Sequence, residues 1–370
     1  MFEKKKRKNN GIKKMYYFMN VDVRWIKQRP HYLAEKLSKY FETDIFYPHF
    51  YARRTLSKDS ILNDCKQHRI FRVPNRIRAV FLHRLVERIN WVFLKNKITA
   101  GKPDVLFLTD PEQVNYAPED YKGIMVYDCM DDLVALAIND FNREKVLYNE
   151  SQIIKKATLI LISSQELKNV LTKRYSSQIS NKKMIICRNA YNGSIANIDR
   201  KNKNNIFTLV YFGTISSWFN MDLLLKSLDE FENIKYILAG PIIEGVEIPK
   251  HNRIEYIGVI DHDSLDQLAT KADCFVMPFL LNDVTKSVDP VKFYEYINYN
   301  KNIVTIYYPE IERYSKFVNF YHDSETYFAA INFAMNNGVK YSNKERIEFL
   351  NENSWDNRAD IIVELINDLL

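Results

Sequence analysis

Five side chains suited to a charged, hydroxyl-bearing ligand fall close together in the last third of the chain. They are Thr285, Ser287, Asp289, Lys292 and Glu295, within PFLLNDVTKSVDPVKFYEYINYNKNIV (278–304). A lysine neutralises phosphate charge, while hydroxyls and carboxylates exchange hydrogen bonds with sugar hydroxyls. A helix opened by Asp289-Pro290 would aim its first N–H groups and its positive dipole end at an anion. These residue types suit a nucleotide diphosphate joined to a polyol. The competing interpretation is an ordinary helix cap with one surface lysine and one surface glutamate. A second group, Asp128, Asp131 and Asp132 in YDCMDDL, supplies carboxylates. One of them can act as general base toward a hydroxyl. Asp131 is the candidate, and another of the three is expected to cap the following helix.

Both groups need a scaffold that presents them. The first lies between the apolar runs CFVMPF and NIVTI. Strand, loop, helix, strand is the layout of a parallel sheet, and ligands sit beyond the carboxyl ends of such strands. The second closes the apolar run GIMVYD, again at a strand's carboxyl end. Further strands are expected at 14–20 and in TDIFYP, DVLFLTD, ATLILISS, KMIIC, FTLVYF, KYILA and RIEYIG. Helices are expected over HYLAEKLSKYF, 142–156, MDLLLKSLDEF, DSLDQLATKA and TYFAAINFAMNNG. The alternation predicts an α/β chain of two domains, 1–196 and 207–345, joined by the polar stretch NIDRKNKNNI (197–206). A helical segment, 346–370, closes the chain.

Residues 75–97 form an amphipathic pattern. Ile77, Phe81, Leu85, Ile89, Val92 and Phe93 run beside Arg76, Arg78, Arg84, Arg88, Lys95 and Lys97. One stripe is expected to pack on the sheet while the arginines and Trp91 approach lipid headgroups.

Composition narrows the classes. A chain of 370 residues with 46% hydrophobic and 14% aromatic content holds two packed cores. No apolar run approaches the ~20 residues of a membrane span. The basic start, MFEKKKRKNN, is followed by no hydrophobic signal region. Cys65, Cys129, Cys187 and Cys274 are scattered, which predicts reduced thiols and a cytoplasmic protein. Of the net charge of +7, residues 1–100 carry 24 Lys and Arg against 8 Asp and Glu, or +16, leaving −9 for the remainder. A basic first quarter suits an anionic partner, either nucleic acid or a membrane surface. No nucleic-acid-binding module or aromatic platform is recognisable, so the membrane is preferred. No His, Cys, Asp or Glu group has metal-ligand spacing, and Asp261-His262-Asp263 reads as a helix cap.

The pattern P…T…DPxKxYEY…NIV in 278–304 resembles the donor-sugar loop of GT-B glycosyltransferases. The resemblance implies two Rossmann-like doubly wound domains facing an interdomain cleft. The first would bind the acceptor and the second a nucleotide sugar, with the closing helix crossing back toward the first. Many such enzymes carry two glutamates eight positions apart; here Glu295 matches the second and Ser287 stands at the first. FTLVYFGT resembles the strand after which GT-B backbone approaches the donor phosphates, implying a role for Gly213 and Thr214. W…RP, with Trp25 and Arg29, resembles the opening of bacterial polysaccharide glycosyltransferases of the capsule and O-antigen type, implying acceptor contact. Tyr127, Asp131 and Leu133 match a Y-x-x-x-D-x-L stretch of the inverting glucuronosyltransferases of xanthan assembly.

The implied activity is metal-independent transfer from a UDP-sugar to a hydroxyl of a lipid-linked or cell-surface glycan. Asp131 would be the base, and the enzyme would sit on the inner face of the membrane. The donor is a co-substrate, and no cofactor is implied. Retention of configuration and a nucleotide-sugar 2-epimerase of the same fold are the alternatives.

Overall fold

The computed structural model describes residues 12–25, 27–49, 62, 65–74, 77, 79–137, 139–191, 193–196, 206–243, 245–260 and 263–370. Most of the basic tail, Arg76, Arg78, Asp261, His262 and the polar stretch 197–205 lie outside the described residues. The chain divides into two compact units, Met1–Arg188 with Trp355–Leu370, and Asn189–Ser354. The first crossing precedes the polar stretch because Asn189, Tyr191 and Ala196 are tied into the second unit. Asn189 N donates to Asp289 (2.9 Å), Tyr191 N to the Asn353 carbonyl (2.8 Å) and Ala196 N to Asn298 Oδ1 (3.0 Å).

The first unit runs β1 (Lys14–Phe18), α1 (Arg29–Leu37), β2 (Glu42–His49), β3 (Lys66–Phe71), α2 (Val80–Gly101), β4 (Val105–Leu108), β5 (Ile124–Cys129), α3 (Asp140–Lys156), β6 (Leu159–Ile162), α4 (Gln165–Arg174), α5 (Ser176–Ile179) and β7 (Lys183–Ile186). Its strands are parallel in the order β3-β2-β1-β4-β5-β6-β7. The central strands β4 (VLFL) and β6 (LILI) are buried throughout, as strands covered on both faces must be. Strand order reverses between β1 and β4, which opens a crevice at their carboxyl ends.

The second unit runs β8 (Phe207–Phe212), α6 (Met221–Glu230), β9 (Ile234–Ala239), β10 (Ile254–Tyr256), α7 (Asp263–Lys271), β11 (Cys274–Met277), α8 (Asp283–Ser287), α9 (Val291–Asn298), β12 (Asn302–Ile306), β13 (Asn319–Tyr321), α10 (Ser324–Asn336) and α11 (Asn343–Glu352). Its parallel order is β10-β9-β8-β11-β12-β13, with the reversal between β8 and β11. After α11 the chain returns to the first unit as α12 (Trp355–Asn367). There Trp355 stacks on Tyr32 with ring centroids 5.4 Å apart, and Asp356 pairs with Lys36 (2.8 Å) and Lys39 (3.2 Å).

In α2, Leu94 and Ile98 are buried, and Trp91 packs on the same core. Trp91 therefore faces inward, not toward a headgroup layer, because the sheet-facing stripe includes its position. Phe81 (77% exposed), Ile89 (59%), Val92 (62%) and Phe93 (60%) are left on the solvent side, with Arg84 and Arg88 exposed beside them. Among the described residues no helix is long and apolar enough to cross a membrane.

Candidate active site

In the second unit the site is built where β8 ends. Gly213 follows that strand at φ +140°, a conformation natural to glycine alone. The reason is steric as well as torsional. A Cβ at Gly213 would overlap Lys292 Cε and stand 2.6 Å from its Nζ. Lys292, in the first turn of α9, thus lies across the glycine, with its ammonium 5.9 Å from the Tyr211 ring centroid. Gly240, after β9 at φ +130°, takes the same role one strand over, since a Cβ there would overlap the Gly213 carbonyl. Backbone bonds fix the pair of turns: Gly213 N donates to the Ala239 carbonyl (2.8 Å) and Gly240 N to that of Gly258 (2.8 Å). Thr214 is half-buried, and its carbonyl accepts from Tyr211 (2.7 Å).

Burial lowers the Lys292 ammonium below its ordinary pKa, and the charge of half-buried Glu295 opposes that shift. A lysine held over a glycine turn, at the carboxyl end of a strand beside the switch point, offers a diphosphate one cation.

The other residues expected at this site face inward. Asp289 is 1% exposed, and its carboxylate accepts from Asn189 N (2.9 Å), Arg313 (2.8 Å) and Tyr314 (2.9 Å). Arg313 also donates to the Tyr294 and Tyr314 hydroxyls. Asp289 is therefore an internal hub and not a ligand contact; Pro290 takes the N-cap position of α9. Thr285 belongs to α8, a helix inside the stretch expected to be loop. There Asn282 Oδ1 accepts from Thr285 N (2.9 Å), Thr285 Oγ1 accepts from Asn282 N (2.8 Å), and the hydroxyl donates to the Leu280 carbonyl (3.1 Å). Capping occupies that hydroxyl. Ser287 is buried as well. Asn282 is a favoured N-cap residue type, a signal that the sequence does carry.

In the first unit the three aspartates after β5 separate into three roles. Asp128, fully buried, takes a bidentate pair from Arg29: Nη2 to Oδ1 at 2.6 Å and Nε to Oδ2 at 2.9 Å. Arg29, in the first turn of α1, is itself 4% exposed and lies over the Trp355 ring. Burial disfavours its charge, but Asp128, Cys187 and Tyr17 together outweigh burial and raise its pKa. The expectation that Arg29 contacts the acceptor gives way to this internal pairing. Asp132 caps the next turn, accepting from Val134 N and Ala135 N (both 3.2 Å), and pairs with Arg174 (2.8 Å). Asp131 is exposed and has no side-chain partner among the described residues. The mass of surrounding protein raises its carboxyl pKa; Arg29 opposes the shift and Asp128 adds to it. A solvent-reachable carboxylate with raised basicity is equipped to accept a proton. Trp25 sits half-buried in the loop after β1, its N–H donating to the Asp22 carbonyl (2.9 Å).

Among the described residues no group of three or more His, Cys, Asp or Glu comes together that could hold a metal ion. No protein-family model matches the chain, and no curated protein sequence does. Solved structures do resemble it. Sucrose-phosphate synthase from Thermosynechococcus elongatus aligns over 96% of this chain and 99% of its own, with TM-score 0.71 and 11% identity. The apo lipopolysaccharide outer core galactosyltransferase WaaB aligns over 94% and 98%, with TM-score 0.63 and 12% identity. A putative UDP-N-acetylglucosamine 2-epimerase from Listeria monocytogenes aligns over 96% of both chains, with TM-score 0.53 and 9% identity. At such identities the likeness establishes architecture, and over nearly the whole length the architecture of this chain is GT-B: two α/β units, each on a parallel sheet.

Proposed function

We propose that the chain transfers a sugar from a nucleotide sugar, a UDP-sugar, to a hydroxyl of a lipid-linked or cell-surface glycan, without a metal and with inversion. The observation that carries this is Lys292 laid across Gly213 at the switch point of the second sheet. Charge that develops on the departing diphosphate is met by the Lys292 ammonium and the Gly213–Thr214 backbone. Glu295 accepts from a ribose or sugar hydroxyl. Asp131 takes the proton of the attacking hydroxyl, and a base on the attacking side gives inversion at the anomeric carbon.

Trp25 lines the acceptor's approach, and Arg29 serves from behind by holding Asp128 beside the Asp131 loop. The exposed apolar side of α2, with Arg84 and Arg88, rests on an anionic membrane at its inner face. The work served is surface-polysaccharide assembly.

Two other readings have specific support. One similar structure, of a trehalose-6-phosphate synthase, belongs to an enzyme of glycosyl transfer with retention (TM-score 0.64). A UDP co-structure of S. aureus MnaA is also similar (TM-score 0.51), as is the 2-epimerase. A thermal-shift screen of nucleotides and nucleotide sugars tests the shared donor site. A ligand at a hundred times its Kd stabilises by about 2.7 kcal/mol, so UDP-sugars should raise Tm where AMP and NAD do not. UDP release that rises with a lipid-linked glycan supports transfer. Conversion of a UDP-sugar to its 2-epimer with no acceptor would replace it, and product of unchanged anomeric configuration would replace inversion.

A further inference from the structure

The first sheet has its own switch point, between β1 and β4, and a cavity of about 300 Å³ opens there. Met19 and Asn20, just past β1, and Asp110 and Gln113, just past β4, form its floor; His83, Val86 and Glu87 of α2 line it from above. A second cavity of about 310 Å³ shares Asp110 and Glu112 with the first. It runs to Leu133, two residues from Asp131, and is lined there by Leu136, Ala137 and Val146.

Charged side chains that line the two chambers pair with one another. Lys145 stands 3.3 Å from both Glu87 and Glu112, and Arg72 stands 3.9 Å and 3.8 Å from the same two carboxylates. Arg72 also donates to the Tyr116 hydroxyl (3.2 Å). Two cations thus face three carboxylates, those of Glu87, Glu112 and Asp110, so neither chamber holds surplus positive charge for an anion. Asn20 adds an independent sign of a ligand: its Oδ1 is buried at the first chamber without a hydrogen-bond partner among the described residues. An unmet buried acceptor is unfavourable unless something donates to it.

The geometry points to a two-chambered acceptor groove in the first unit that takes an uncharged glycan of two sugar residues. This deepens the transferase reading and rests on it. Each chamber is at the lower end of ligand-pocket size, suited to a single small ring and not to a nucleotide sugar. Carboxylates and amides accept from sugar hydroxyls while Arg72 and Lys145 donate to them. The sugar in the Leu133 chamber lies next to the Asp131 loop, and the one before it lies under α2 and donates a hydroxyl to Asn20.

The test uses the full chain, saturation-transfer NMR and titration calorimetry. The probes are neutral methyl hexosides and methyl disaccharides, with glucuronic acid and glucose 1-phosphate as anionic counterparts and UDP-glucose as the donor-site control. At least one neutral disaccharide should bind tenfold or more tightly than its component monosaccharides. Val86→Trp, filling the first chamber, and Ala137→Trp, filling the second, should each erase that advantage and leave UDP-glucose affinity unchanged. Asn20→Leu, which keeps the branched shape and removes the acceptor, should weaken the disaccharide about fivefold. It also decides the matter if a tryptophan variant fails to fold. Tighter binding of the anionic sugars, or disaccharide affinity indifferent to all three variants, overturns the groove. UDP-glucose binding with no neutral sugar bound overturns the groove alone; binding of neither overturns the transferase reading with it.

Discussion

Gly213→Ala is the most diagnostic single change, because two separable penalties meet at that position. The first is torsional. At φ +140° an alanine sits where only glycine is at ease, which costs about 1–3 kcal/mol. The second is steric. The new methyl would overlap Lys292 Cε, so the lysine must leave the turn or the turn must shift, adding ~1–3 kcal/mol of overpacking. A lysine stem is flexible, so the lower half of that range applies, and the variant should lose about 2–5 kcal/mol in urea unfolding. Displacing the ammonium should also weaken UDP-glucose binding. Loss of a charge-assisted hydrogen bond is worth about 1.5–3 kcal/mol, or roughly 10- to 150-fold in Kd.

Lys292→Ala separates the two penalties. It should lose the same binding energy without losing stability. Its ammonium is depressed by burial, so the unfolded chain holds that proton to higher pH than the folded one does. Parental stability therefore rises with pH as the folded lysine deprotonates, and the variant lacks this rise. In the Lys292→Ala background the methyl of Gly213→Ala loses its three nearest neighbours, all atoms of Lys292, and chiefly the torsional penalty remains. The double-mutant cycle should return about 1–2 kcal/mol of coupling in stability. In binding, the double variant should be no weaker than either single one. Equal stability losses from Gly213→Ala in both backgrounds, or parental donor affinity in Gly213→Ala, would refute the placement of Lys292 over the turn.

Three other outcomes are expected. Asp131→Asn should reduce transfer by about 10²-fold or more, as for a general base, while donor binding persists. The folded pKa of Asp131 is raised, so its stabilising contribution exists at low pH and is lost as pH rises through the raised value; the asparagine variant should be at least as stable as the parent at neutral pH. A destabilised variant with normal turnover would make Asp131 structural. Arg29→Ala strands a buried carboxylate and should cost about 3–5 kcal/mol by chemical denaturation; a change within measurement error would mean that solvent reaches Asp128. Reversing Arg84 and Arg88 to glutamate should weaken binding to phosphatidylglycerol vesicles at least tenfold, at ~1 kcal/mol per basic residue, and leave the partition to neutral vesicles small and unaltered. Unchanged binding to anionic vesicles would remove α2 from the membrane contact.

The sheets were legible because their strands are short apolar runs at regular intervals, and two parallel layers follow from alternation with helices. β3 (KQHRIF) and β13 (NFY) were not: one is a polar edge strand, the other only three residues long. Gly213 and Asp131 could be singled out in the sequence because each follows an apolar run, and Lys292 because it follows the Asp-Pro pair ahead of α9. Asp289 was misjudged because its partners Arg313 and Tyr314 lie more than twenty residues away, and only the fold brings them together. The three aspartates of YDCMDDL could be named but not sorted, since Arg29, 99 residues upstream, decides which of them is neutralised. Trp91 was assigned to the wrong side of α2 for a related reason: amphipathicity fixes how many faces a helix has, not which aromatic residue lies at their border.

The two switch points show why one chain would hold an anion and a neutral sugar at topologically equivalent places. Both lie where strand order reverses, and the fold alone gives each a crevice. Charge then differentiates them. In the second unit a glycine leaves room at the backbone and one lysine crosses it, with the charge of Glu295 acting on that lysine. A diphosphate entering there replaces lost solvation of a cation that burial already strains, so ligand charge and protein charge relieve each other. In the first unit Arg72 and Lys145 are already matched by Glu87 and Glu112, and Asp110 adds a further carboxylate. A second phosphate would meet net repulsion there, whereas hydroxyls find donors and acceptors without disturbing the balance. Charge reversal at the network makes the distinction measurable: Glu112→Lys should admit glucose 1-phosphate to the first unit while leaving UDP-glucose affinity at the second unaltered. Failure of the anion to bind this variant would mean that shape, not charge, excludes it.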